Sequence, residues 1–195
     1  MGENVCSVFT NVPVLTHKKM MKKIATLFIL VLSVSGILSC KKDKIEFKSD
    51  FDSSFRAWQK FKVESRNNYS YTAPTYSWTG SSSETIIIVN DGKVTGRKYI
   101  AKARRDDPSQ AIYVVEEWTE DSLTLNSHQS GASTLTLDQV YDMAKNNFLV
   151  KRPNAKISFE AKNNGLISSA GFIDDNCADD CFRGFTITAI QKLSN

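Results

Sequence analysis

The chain has 195 residues, of which 41% are hydrophobic and 24% charged. That composition suits one ordinary globular domain and excludes a disordered, fibrous or multi-pass membrane chain. The formal charge of +4 hints at an anionic partner, but a net charge has meaning only for the residues that remain on the working domain.

Lys18, Lys19, Lys22 and Lys23 precede an uncharged apolar run of 15 residues, Ile24 to Leu38, which ends at Ser39-Cys40 and meets Lys41-Lys42-Asp43-Lys44. A basic segment, a short apolar core and a small residue at the cut site form an export signal. A spanning helix would need roughly 17–25 apolar residues. Residues 1–19 are neither basic nor periodic, whereas Met20-Met21-Lys22-Lys23 is a natural signal start, so translation is expected to begin at Met20 or Met21.

Ile37-Leu38-Ser39-Cys40 resembles the lipobox of bacterial lipoproteins. The resemblance implies that cleavage makes Cys40 the first mature residue, with acyl chains such as palmitate on its thiol and amine. It also implies a partner in membrane lipid and a place in the cell envelope, at the outer membrane. Acyl burial contributes about 0.8 kcal/mol per CH₂, so two or three chains hold a domain on a membrane without a spanning helix.

Losing residues 1–39 removes four Lys and one Glu, leaving 21 basic and 20 acidic groups, a net of +1. The remainder is uneven: residues 41–105 carry 14 basic against 7 acidic groups, and residues 106–195 carry 7 against 13. A charge dipole of this kind is not the footprint of a nucleic-acid binder.

Lys41 to Ile45 reads as a charged tether within a lipidated leader of residues 40–46, followed by one domain over 47–195. Phe47, Phe51, Phe55, Trp58 and Phe61 recur at helical spacing, which predicts a helix with an aromatic face turned to the core. Ser49, Asp50 and Asp52 supply capping and dipole-compatible groups near its start. Asn68 to Thr72 and Thr75 to Trp78 alternate as strand around Pro74, which needs a bend or an edge position. Glu84 to Val89 is a strand run closed by Asn90-Asp91-Gly92 and followed by Lys93-Val94-Thr95, a hairpin signal of type I′. Ala111 to Trp118 is a further strand, and Thr119 to Thr134 reads as a long polar loop.

Thr136 and Gln139 form a capping box for a second helix that buries Leu137, Val140, Tyr141, Ala144 and Phe148 and has ended by Pro153. Ile157 to Ala161 alternates as a strand, Asn163-Asn164-Gly165 turns it, Leu166 to Ile173 returns, and Phe185 to Ala189 is the last strand. The order predicts an α+β fold: an antiparallel sheet of about five to seven strands with two helices packed on one face. With Trp58, Tyr69-x-Tyr71, Asp91 to Val94, Thr136 to Tyr141 and the acidic loop Asp174 to Asp180, it resembles a domain-of-unknown-function family of small exported bacterial proteins. That resemblance implies an exported α+β domain and no established activity.

Cys177 and Cys181 are expected to pair in an oxidising compartment; closing so short a loop contributes about 2 kcal/mol in the chain-entropy view. Three intervening residues do not fit a thioredoxin-like site. Asp174, Asp175, Asp179 and Asp180 invite calcium as an alternative, although Ala178 falls where an EF-hand places a ligand. No catalytic residue is assigned. His128 sits alone in a polar loop, Glu116 and Glu117 point to opposite faces of a strand, and no nucleophile elbow, phosphate loop or zinc motif occurs. A hydrolase built from distant residues is the third possibility. Lys93, Arg97, Lys98, Lys102, Arg104 and Arg105 read as an exposed strand and turn that could face anionic lipid or polysaccharide. The expectation is a non-catalytic binding or scaffolding lipoprotein, without a cofactor, whose partner is an envelope protein or a glycan.

Overall fold

The computed structural model describes residues 44–178 and 181–194. Within it, α1 (Lys48–Glu64) is followed by four strands, β1 (Tyr69–Tyr76), β2 (Ser82–Asn90), β3 (Lys93–Arg104) and β4 (Ile112–Glu120). Helix α2 (Leu137–Met143) then runs into a π-helical turn, Ala144–Phe148. Strands β5 (Ala155–Glu160), β6 (Ser169–Asp174), β7 (Arg183–Thr186) and β8 (Ala189–Lys192) complete the order.

The fold is α+β and antiparallel, but the strands divide into two sheets: one with the order β4-β3-β2-β1-β8, the other β5-β6-β7. The division arises near the C-terminus. The expected last strand, Phe185 to Ala189, is two short strands: β7 pairs with β6, and β8 pairs with β1. Ile187 and Thr188 carry the chain across, held by Ile187 N–H to Ser168 O (2.7 Å) and Thr188 N–H to Thr72 O (3.0 Å). The returning strand is likewise shorter than expected. Leu166 to Ser168 is buried chain beyond the turn, and pairing begins at Ser169.

The turn chemistry follows the sequence. Asp91 and Gly92 take φ of 48° and 74° between the paired residues Asn90 and Lys93, the two positive angles a type I′ hairpin requires. Pro74 lies inside β1, paired with Glu84 on one side. On the other side β8 stops at Thr72, so the missing N–H faces no strand and the edge position is confirmed. Thr136 and Gln139 form the reciprocal capping box.

Helix α1 starts differently from expectation. Its N-cap is Phe47, in the left-handed region at φ 54°, with no side-chain cap, so Ser49 and Asp52 do not cap. Asp52 instead pairs with Lys48 one turn away. The aromatic stripe is also narrower than its spacing suggests: Phe51 and Trp58 are buried, but Phe47 and Phe55 are exposed. One helix presents only part of five rings to a core. Trp58 is fully buried, edge-on to Tyr69 with ring centroids 5.2 Å apart and stacked on Tyr141 at 6.2 Å. Its indole N–H donates to Asp138 (2.8 Å), which also takes Lys62. Ahead of α1, Ile45 bridges Val150 and Glu46 N–H donates to Leu149 O, so the last residues of the expected tether lie against the domain.

Candidate functional site

Because β7 turns away toward β6 while β8 stays on β1, a wedge opens between the two sheets just beyond Thr72. Its inner end is a cavity of about 240 Å³ walled by Tyr71, Leu135, Val140, Met143, Phe148 and Phe185. Its mouth is a wider space of about 800 Å³ between Pro74 to Tyr76 on one side and Ile173 and Phe182 on the other. The two parts share Ala73, Ala132, Gly184, Phe185 and Thr186, and so form one cleft. Among the described residues, no carboxylate, imidazole or amine lines either part.

Local packing explains the shape of each wall. Tyr71 donates its hydroxyl to Leu135 O at 2.6 Å, tying the start of α2 to the sheet. Burial, helped by neighbouring Tyr69, pushes that hydroxyl far above the ordinary tyrosine value, so it serves as a neutral donor and not as a base. On the opposite wall Gly171 and Gly184 pair across β6 and β7. A Cβ on Gly171 would come within 2.4 Å of the Phe182 ring, and one on Gly184 within 2.2 Å of Ala170 O. Only glycine admits this approach, and Phe182 lies over the pair at the mouth, partly exposed. The Cys177–Cys181 disulfide closes the loop immediately before Phe182, with Cα atoms 6.0 Å apart. The sequence signal for this wall was Phe-Arg-Gly-Phe directly after a cysteine; its meaning depends on the partner glycine in β6.

A second cluster corrects the reading of Arg97 in the basic strand and of His128 in the polar loop. Arg97 was expected on an exposed surface, yet its side chain is only 4% exposed and faces a Glu120 side chain that is 0% exposed. The pair is bidentate: Nε to Oε2 at 2.7 Å and an Nη to Oε1 at 2.9 Å. The guanidinium also donates to Ala132 O and His128 O, both at 3.0 Å. Glu120 in turn accepts the N–H groups of Asn126 (3.0 Å) and His128 (2.8 Å). Arg97 foremost, and these N–H groups with it, hold the Glu120 carboxyl well below the usual carboxylate range despite its burial.

The segment after β4 is a loop, as expected from Asp121 onward, and it is fastened to two buried charges, Arg97 of β3 and Glu120 at the end of β4. Gly131, at φ 89°, lets it lie within 3.2–3.3 Å (from an added Cβ) of Thr85, Tyr99 and Trp118. His128 is not merely solvated: its ring stacks on Trp118 at 4.4 Å, and Nδ1 lies 3.2 Å from Glu120. Every polar group of the ion pair is spent on holding chain, which leaves it nothing to offer a substrate. Lys93, Lys98, Lys102, Arg104 and Arg105 do lie on the surface as expected. Glu116 and Glu117 are placed against Ala101 and Ile100, on opposite faces.

The remaining assignments divide by location. Asp174 ends β6, 3.6 Å from Arg183, and Asp175 N–H donates to Asn154 O. Asp179, Asp180 and Cys40 lie outside the described residues. Among the described residues no three His, Cys, Asp or Glu side chains gather as a metal site, and no helix is long and apolar enough to cross a membrane. No protein-family model, curated protein or solved structure matches the chain.

Proposed function

We propose that the chain is a bacterial lipoprotein, anchored in the cell envelope by acylated Cys40, whose α+β domain binds an envelope protein without catalysing a reaction. The anchor rests on the basic segment, the short apolar core and the lipobox-like Ile37 to Cys40. The binding role rests on one observation above all: the inter-sheet cleft is open, its inner part is apolar, and among the described residues tyrosine is the one titratable group lining it. Such a site holds apolar groups well but has no acid, base or activated nucleophile to transform them.

A protein segment fits this cleft better than a glycan. The inner walls are aliphatic and aromatic, with few hydroxyls to match those of a sugar, and Tyr76, Ile173 and Phe182 add exposed apolar surface at the mouth. Trp58 against Tyr69, and Leu137 N–H to the Tyr69 hydroxyl, support both helices packing on one face of the five-stranded sheet, with the cleft toward Pro74.

The test is site-specific photo-crosslinking in intact cells with a photoreactive residue at Tyr76 or Phe182, and at Lys60 on the outer side of α1 as control. A discrete protein adduct from the two cleft positions, lost when Ala73 is enlarged to Trp, is the expected result. No adduct, or the same adducts from all three positions, contradicts the assignment.

A further inference from the structure

The outer strand of the five-stranded sheet is built to pair. Among the described residues β4 has β3 on one side and no strand on the other. Ile112, Tyr113, Val114 and Val115 are 66%, 42%, 50% and 59% exposed. Four successive apolar residues on an uncovered edge are what soluble sheets normally avoid, because free N–H and C=O groups with apolar side chains template another strand. We propose that this edge pairs with the same edge of a second copy, giving a two-fold dimer with one continuous antiparallel sheet.

The register selects the second copy as the occupant. Ala101 pairs with Glu116 and Lys102 with Val114, so Val115 is a bulge. Beyond it the faces are re-phased: Tyr113 and Glu116 share the face of Trp118, while Ile112, Val114 and Glu117 share the other, with Val115 the unpaired residue between them. A two-fold axis between Val114 and Val115 then sets Val114 against Val115 of the second copy, Tyr113 against its Glu116, and Ile112 against its Glu117. The matches of Tyr113 with Glu116 and of Ile112 with Glu117 each join residues of one face, and the two bulged valines meet at the axis. A shift by one residue sets Ile112 against Glu116 and mixes the faces.

Charge favours the same register. Arg105 lies over the Tyr113 ring at 5.2 Å, and Arg104 is the β3 partner of Ile112. The axis therefore brings Glu116 of the second copy beside Tyr113 and Arg105, and its Glu117 beside Ile112 and Arg104, twice by symmetry. The basic first half of the chain meets the acidic second half of its twin. Since β4 pairs with itself, the interface closes at two copies and does not propagate.

Sedimentation of the full chain in detergent micelles tests this. A dimer is expected, and Val114→Lys is expected to weaken it at least about tenfold while leaving the circular-dichroism spectrum of the domain unchanged, since Val114 is exposed. Arg105→Glu and Glu116→Arg each weaken it, and the two changes in one chain restore it, which a non-specific apolar contact would not do. A chain that stays monomeric at about 100 μM, where a Kd of about 1 μM would give mostly dimer, overturns the proposal. So does a dimer that Val114→Lys leaves intact or that the charge exchange does not rescue.

Discussion

Replacing Arg97 with Met removes one half of a sealed ion pair. The Arg97 side chain is 4% and the Glu120 side chain 0% exposed, so the substitution leaves a carboxylate buried without its counter-ion. Breaking one side of such a pair costs about 3–5 kcal/mol. A domain of about 150 residues loses roughly 2–4 °C per kcal/mol, which places the expected fall in melting temperature at roughly 6–20 °C. The same variant frees Ala132 O and His128 O, so the segment between β4 and α2 is expected to become sensitive to protease near His128. Removing both charges, with Arg97→Met and Glu120→Leu together, leaves no stranded ion, and the double variant is expected to fall short of the summed single effects by more than about 1 kcal/mol. Urea unfolding followed by circular dichroism of the wild type, both singles and the double supplies the cycle. An Arg97→Met cost below about 1 kcal/mol, the range of an exposed pair, or strict additivity, would refute the reasoning. Acid gives an independent check. The Glu120 carboxyl is held below its unfolded value of 4.5, so its contribution is present above that pH and is lost as pH falls toward the folded value. Wild type is expected to lose stability below pH 4.5 more steeply than the double variant.

Other perturbations test other parts of the fold. Burial pushes the Tyr69 hydroxyl up to about 12 from 10.0, so stability from its neutral form is full below pH 10 and lost as pH rises through about 12; ultraviolet titration of the tyrosines alongside alkaline unfolding reads this, and the effect should vanish in Tyr69→Phe. Cys177→Ser with Cys181→Ser is expected to lower stability by about 2 kcal/mol and to loosen the Phe182 side of the cleft, seen as faster hydrogen exchange over 181–186; an unchanged denaturation midpoint would contradict the pinning role. Gly184→Ala places a methyl carbon 2.2 Å from Ala170 O and is expected to destabilise by at least about 1 kcal/mol, with a neutral result showing that β6 and β7 do not pack as described.

Local chemistry was legible in the sequence wherever the signal was contained within a few residues. Asp91-Gly92, the Thr136–Gln139 box, Pro74 at an edge and the short Cys177–Cys181 loop all occupy the expected places. What escaped depends on distance. Nothing in Phe185 to Ala189 announces that the chain changes sheets at Ile187, because the switch is set by which edges remain unpaired after β6 and β1 are in place. Arg97 stands in a run of exposed Lys and Arg, and only Glu120, on the next strand, turns it inward. The aromatic spacing of α1 marked the correct face but not its width, since only the centre of the stripe meets the core. The cleft is the sum of those unread features, lying where the two sheets part, and no motif encodes it.

A binding domain held in the envelope presupposes that Cys40 is the acylated first residue. Mass spectrometry of the mature protein extracted from membranes measures this directly. The expected N-terminal peptide begins at Cys40 and carries acyl chains that shift its mass, and Cys40→Ser releases the domain from the membrane fraction. An unmodified N-terminus at any other residue, with the protein still membrane-bound, would contradict it.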